Sequence, residues 1–141
     1  MVGHNMINQS ARKVVLPRCA EQNLGVINVF TVRNVFSVPA RLRQVVGELV
    51  SAGVLSKGAL DPADPLGWLT SSEEPGAPQT LIEAAYRYAA HTQPVTAVMC
   101  GSIDMAEVEQ NLASLERGPL PAGLLERLLA VFAHVDVPVG N

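Results

Sequence analysis

The sequence predicts an α/β fold with a parallel sheet, and three observations carry that prediction. Segments rich in β-branched residues alternate along the chain with amphipathic, capped segments, an order that demands crossover connections between parallel strands. The segment Val26-Ile27-Asn28-Val29-Phe30-Thr31-Val32 is nearly continuous in apolar and β-branched residues and is bounded by Gly25 and by Arg33-Asn34, as suits a strand buried on both faces of such a sheet. Finally, Thr80-Leu81-Ile82-Glu83 and Asp104-Met105-Ala106-Glu107 both have the spacing of a capping box and so mark helix starts.

Taken in order, residues 1–7 read as a strand running into a loop. Ser10 is placed as the N-cap of a helix over residues 11–23, with Val14, Val15, Arg18 and Cys19 on a partly apolar face. Pro17 must kink that helix or restart it, and Asn23-Leu24-Gly25 stops it. After the strand at residues 26–32, Ser37-Val38-Pro39 opens a helix with proline in its first turn. Leu42, Val45, Val46, Leu49 and Val50 then fall at i, i+3, i+4, i+7 and i+8, one apolar stripe ending at Gly53. Residues 57–78 carry Pro62, Pro65, Pro75 and Pro78, with Trp68 as their single large anchor, and read as a long loop. A loop of this length is more often functional or mobile than idle.

The helix capped at Thr80 runs to Thr92, Pro94 marks a turn, and residues 95–100 form the next strand, closed by Gly101-Ser102. The helix opened by Asp104 runs to Leu115, Gly118-Pro119-Leu120-Pro121 breaks it, and a last helix over residues 121–135 buries Leu124, Leu125, Leu128, Leu129 and Phe132. There is no internal repeat.

The 141 residues fit one domain, spanning residues 1–141. Apolar residues make up 48%, enough for a true core. Ten basic against thirteen acidic residues give a net charge of −3, which argues against a nucleic-acid module with its basic stripe and against a polybasic membrane-surface segment. No apolar run approaches the ~20 residues a bilayer requires. The start of the chain lacks a basic stretch followed by an apolar one, so no secretory leader is expected.

Cys19 and Cys100 form no CxxC pair and are expected to be free, buried thiols in a reducing cytoplasm. With His4, His91 and His134 they never reach metal-ligand spacing, so no metal site is expected. His4 reads as a hydrogen-bonded structural residue rather than a general acid, and His91 as a partner of a helix C-terminal dipole.

Several phrases, in this order and spacing, resemble the C-terminal part of the aldo/keto reductase family. The most specific is Cys100-Gly101-Ser102-Ile103-Asp104-Met105-Ala106-Glu107-Val108-Glu109-Gln110-Asn111, which is similar to the family's phrase after its eighth strand. There a Gly-Thr or Lys-Ser pair precedes a helix carrying Glu-Asn. The phrase Met1-Val2-Gly3-His4-Asn5-Met6-Ile7-Asn8 is similar to the family's Tyr-Asn-Leu-Leu region, with His4 in place of Tyr, and Gly118-Pro119-Leu120-Pro121 suits the family's tail. The resemblance covers nearly the whole chain, to Asp136.

That resemblance implies a partial TIM (β/α)8 barrel, with residues 1–5, 26–32 and 95–100 as strands six, seven and eight. A full barrel takes about 250 residues, so this chain corresponds to its closing third. It further implies an NAD(P)-dependent oxidoreductase acting on carbonyls or alcohols, of which this chain supplies cofactor contacts only. The family's catalytic Asp, Tyr, Lys and His lie on earlier strands and have no counterpart here, so no catalytic residue is expected and the isolated chain should be inactive. Tyr86 and Tyr88 fall in a helix, and Lys13 and Lys57 fall outside the strands.

By the same resemblance, Gly101 and Ser102 would meet the cofactor's adenosine 2′-phosphate at a helix N-terminus, where free N–H groups favour anions. Asn111 would reach the adenine amine, and Gln110 stands where the family usually has Glu. Phe30 or Thr31 would stand at the place of the family's aromatic on the nicotinamide, with Phe30 able to stack there and Thr31 taking the inner place if Phe30 points outward, since the pleat lets only one of them face inward, and Arg33 would meet the diphosphate. Glu107 stands where many members carry an Arg for the 2′-phosphate, and Gly101 replaces a Lys, which leaves NADP or NAD open. Trp68 would anchor its loop or border the substrate mouth. The partners implied are the nicotinamide dinucleotide and, because three barrel strands leave unpaired edges, a barrel-completing chain or a second copy. The other reading is a non-catalytic structural or interaction protein.

Overall fold

The computed structural model describes residues 1–139. Three strands, β1 (Val2–Gly3), β2 (Val26–Val29) and β3 (Val95–Val98), form one sheet in the order β1-β2-β3, and both pairings are parallel. Val2 and Gly3 pair with Asn28 and Val29, while Val26, Ile27 and Asn28 pair with Val95, Ala97 and Val98. The step in that second register leaves Thr96 as the extra residue of a bulge, and its hydroxyl donates to the Val26 carbonyl at 3.1 Å. The α/β class and the parallel sheet are thus as the alternation of elements requires.

The strands are shorter than the apolar runs that signal them. β2 stops at Val29 because Phe30 turns into the left-handed region at φ +65°. β3 stops at Val98, two residues before Cys100, and β1 holds two residues only. Nor is β2 buried on both faces. Val26 and Asn28 are buried, whereas Ile27 is 44% exposed. The sheet has one covered face and one open face, and Gly3, Ile27 and Ala97 share the open one.

The expected helix over residues 11–23 is two pieces, a 3₁₀ turn at Ser10–Arg12 and helix α1 (Val15–Glu21). Pro17 lies in the first turn of α1, where its missing N–H costs no hydrogen bond, so the proline restarts the helix rather than kinking it. Ser10 is not a cap. Both its N–H and its hydroxyl donate to Asn8 Oδ1, at 3.2 and 2.7 Å. Leu16 carries α1 against Val26 and Ala11, with Val2, Cys19 and Val95 around them, and this small cluster covers one face of the sheet.

The larger core is built from α2 (Asn34–Ser37), α3 (Pro39–Ser51), α4 (Gly67–Thr70), α5 (Leu81–Ala90) and α7 (Ala122–Val131), packed around Met6 and Ile7. The α3 stripe is buried at Leu42, Val45, Val46 and Leu49, with Val50 at its margin. Residues 57–78 are not an unstructured loop. They contain α4, whose Leu69 and the preceding Leu66 are fully buried, and Trp68 packs against the core with the Arg127 guanidinium 4.2 Å from its ring centre. In α7, Leu124 and Leu128 are buried and Phe132 lies just beyond the helix, whereas Leu125 and Leu129 are only half-buried.

α5 is the most deeply covered helix. Thr80 Oγ1 accepts the Glu83 N–H at 3.0 Å, the first half of the capping box, while Glu83 Oε2 reaches past the N-cap to accept the Gln79 N–H at 3.0 Å. The buried Glu83 carboxylate takes Arg87 Nη1 at 2.7 Å and Arg117 Nη1 at 3.0 Å. Arg87 Nε and Nη2 donate to the carbonyls of Gly118 and Pro119 at 2.8 and 2.6 Å, which fixes the break between α6 (Met105–Glu116) and α7. A buried charge pair is tolerable only when its remaining donors and acceptors are satisfied in this way.

Candidate functional site

Where the strands end, three short segments come together at one edge of the sheet: His4-Asn5 after β1, Phe30 to Arg33 after β2, and Met99 to Ser102 after β3. The His4 N–H donates to the Val29 carbonyl at 3.4 Å and the Met99 N–H to the Asn28 carbonyl at 3.0 Å. The ends are therefore stitched side by side, and every residue expected to meet a cofactor except Gln110 and Asn111 lies on them.

The turn at Phe30 sends Phe30 and Thr31 to different surroundings. Thr31 is buried, and its hydroxyl accepts from Asn28 Nδ2 at 2.9 Å. Phe30 is 53% exposed and lies over Gly3, where a Cβ would come within 3.1 Å of its ring. The absence of a side chain at Gly3 is what lets the ring lie there. The Arg33 guanidinium stacks on Phe30 at 4.2 Å from the ring centre. Phe30 and Arg33 are thus a pair on the rim, and Thr31 belongs to the buried side.

Around the start of α6 the expected capping box is rearranged. Asp104 Oδ1 accepts the Ala106 N–H at 2.8 Å, but Glu107 does not reach back to Asp104. Instead Ser102 Oγ donates to Glu107 Oε2 at 2.5 Å and accepts the Asp104 N–H at 3.1 Å. Ser102 is therefore already engaged, and the Asp104 and Glu107 carboxylates both lie at the start of α6. A Cβ built on Gly101 would meet nothing within 4 Å, so the space before that backbone is open.

Asn111 is half-buried and its amide donates to Cys100 Sγ at 3.3 Å, while Gln110 is exposed. Cys100 is free and exposed, not buried as expected, and Cys19 is free and half-buried. The Tyr86 hydroxyl, then the Ser102 backbone N–H, then Asn111, hold the Cys100 thiol below its ordinary pKa by bonding to the thiolate. Tyr86 is displaced upward, chiefly by burial and secondly by Cys100.

His4 is fully buried 5.1 Å from the Tyr88 ring, and neither ring nitrogen has a hydrogen-bond partner. The expectation of a hydrogen-bonded imidazole is not met. Burial, and then the Arg12 charge, lower its pKa to about 4, so the ring is neutral at pH 7. Residue identities alone carried no signal for the partnership of Tyr86 with Cys100 or of Tyr88 with His4. Each joins residues whose pairing the sequence does not announce.

Among the described residues no group of three His, Cys, Asp or Glu is placed to hold a metal ion, and no helix is long and apolar enough to cross a membrane. Compared with known proteins, the chain matches no family model and no curated protein.

Proposed function

We propose that this chain is the C-terminal part of an aldo/keto reductase-like (β/α)8 barrel that holds a nicotinamide dinucleotide and supplies no catalytic residue. What carries the reading is the rim itself: parallel strands in the order β1-β2-β3 bring Phe30, Arg33, Gly101 and Ser102 to one edge of the sheet. In an α/β barrel that edge is where ligands bind. The open face bearing Gly3, Ile27 and Ala97 is the one that would line such a barrel's interior.

The residues fit part of the cofactor better than the rest. The exposed Phe30 ring offers a surface for the nicotinamide, Gly101 leaves the backbone accessible, and Arg33 brings a cation to the diphosphate. The Asp104 and Glu107 carboxylates oppose a further phosphate by Coulomb repulsion, so the reading favours NAD over NADP. A cytoplasmic setting belongs to the same reading and rests on the two free cysteines. Hydride transfer would be the chemistry of the cofactor, and a proton donor at the carbonyl oxygen would come from outside this chain.

Titration with NADH and NADPH, followed by calorimetry, tests the proposal. Saturable binding with NADH at least as tight as NADPH, weakened by Phe30→Ala, is the expected result, with no carbonyl reduction by the chain alone. Absence of binding to both at millimolar concentration overturns it. The open face and unpaired edges favour a second reading, an interaction protein that pairs with another chain. Light scattering after size exclusion tests this reading, and a monomer at all concentrations counts against it.

A further inference from the structure

Away from the rim, a cavity of about 270 Å³ opens between the 3₁₀ turn, the end of α5 and the segment leading into α7. Thr92, which lines it, precedes β3, whereas Gly101 and Ser102 leave β3, so the cavity and the rim lie toward opposite ends of that strand. Its lining has a polar part, with Arg12, Tyr88, His91, Thr92 and Gln93, and an apolar part, with Pro119, Leu120 and Leu125.

Two features of the polar part ask for a ligand. The Tyr88 side chain is 2% exposed and its hydroxyl makes no hydrogen bond of good geometry, although the Arg12 guanidinium lies beside it. A buried hydroxyl without a partner is costly, and native proteins rarely leave one so. Arg12 in turn has no ion pair among the described residues. Its side-chain contact is with Thr92 Oγ1 at 3.5 Å, at the limit of a hydrogen bond, and the Thr92 hydroxyl already donates to the Tyr88 carbonyl at 2.8 Å. Arg87 also lines the cavity, but Glu83 and the carbonyls of Gly118 and Pro119 occupy its donors. The cavity thus offers one cation with open donors and one buried hydroxyl.

We propose that this cavity binds a small organic carboxylate, its two oxygens on the Arg12 guanidinium and the Tyr88 hydroxyl and its apolar body against Leu120 and Leu125. The planar arginine fork matches a carboxylate in a bidentate manner. A single cation would under-neutralise a phosphate dianion, and the apolar wall gives a phosphate nothing to contact. The site shares no residue with the rim, so it stands or falls independently of dinucleotide binding.

Calorimetric titration of the full chain with butyrate, butanamide and inorganic phosphate at constant ionic strength tests this. Butyrate should saturate, and the isosteric neutral butanamide should bind weaker by roughly tenfold or more, the worth of a charge-assisted contact. Phosphate should also bind less tightly than butyrate. Arg12→Gln should weaken butyrate by a similar factor, and Tyr88→Phe should weaken it several-fold while leaving the fold intact, since its hydroxyl supports nothing in the ligand-free chain. Should Arg12→Gln fail to fold, the comparison of butyrate with butanamide on the unaltered protein decides alone. Equal affinity for butyrate and butanamide, no saturable binding of butyrate, full affinity in Arg12→Gln, or tighter binding of phosphate than butyrate would each overturn the assignment.

Discussion

Helices α5 and α6 open on the same local device, an N-cap oxygen that accepts a backbone N–H: Thr80 Oγ1 from Glu83 and Asp104 Oδ1 from Ala106. From there they diverge. α5 buries Glu83 through Ala89 without a break, whereas α6 buries no residue at all, and Ile103, Met105 and Leu112 around it are exposed. In α5 the cap acid Glu83 is drawn into a buried network with Arg87 and Arg117, while in α6 the equivalent acid Glu107 lies at the surface on Ser102. Identical local signals therefore mark one helix that the core is built on and one that edges the open rim. Tertiary cover, not capping, decides which helix the core is built on and which stays at the surface.

The sharpest break of this comparison is at Arg87. Arg87→Ala leaves Glu83 buried with only the half-exposed Arg117 and frees the carbonyls of Gly118 and Pro119. Removing one partner of a buried pair should cost about 4 kcal/mol of folding free energy, read as a lower urea midpoint. A removal at α6 of comparable size, Glu107→Ala, should move that midpoint little, because Glu107 bonds only at the surface.

A second test concerns His4, packed on Tyr88 of α5. Its folded pKa of about 4 lies below the usual 6.5, so the unfolded chain binds the proton more readily between those values. This contribution is fully present above pH 6.5 and is lost as the pH falls toward 4, amounting to about 3 kcal/mol. Urea midpoints measured across that range should fall more steeply for the native chain than for His4→Phe. Parallel curves would contradict the burial of a neutral imidazole.

The caps give a smaller and more discriminating pair. Thr80→Ala should cost about 1 kcal/mol and lower protection from hydrogen exchange throughout the core. Asp104→Ala should cost only a few tenths of a kcal/mol globally, as surface changes usually do, and lower protection in the first turns of α6 alone. The smallest effect is chemical. Cys100 should be alkylated readily near neutral pH, and Tyr86→Phe should slow that reaction by removing the bond that most favours its thiolate.

Much of the buried half was legible in the residues. The stripe from Leu42 to Leu49 and the spacing of Thr80 with Glu83 are local patterns with a single reading, and both formed. Pro17 signalled a kink or a restart, because its ring excludes it from a helix interior, and α1 restarts there. What could not be read depends on contacts between distant residues. The end of β2 at Phe30 follows from a positive φ that an apolar run does not announce. The docking of α4 under residues 57–78 depends on Leu66 and Leu69 finding a core already formed. The burial of Arg87 follows from the chain break at Gly118-Pro119, whose carbonyls take its donors. At the candidate site, Gly101 and Ser102 were marked by the strand-to-helix transition, whereas the engagement of Ser102 by Glu107 and the pairing of Arg33 with Phe30 needed the folded chain.

The most direct test of the account is a map of backbone amide NMR shifts as NADH is added to the intact chain. Saturable shifts concentrated at residues 30–33 and 100–107 are expected, with the Glu83–Arg87–Arg117 network unmoved. Shifts centred on α5, or none that saturate at millimolar NADH, would contradict the assignment of the rim as the nucleotide-holding edge.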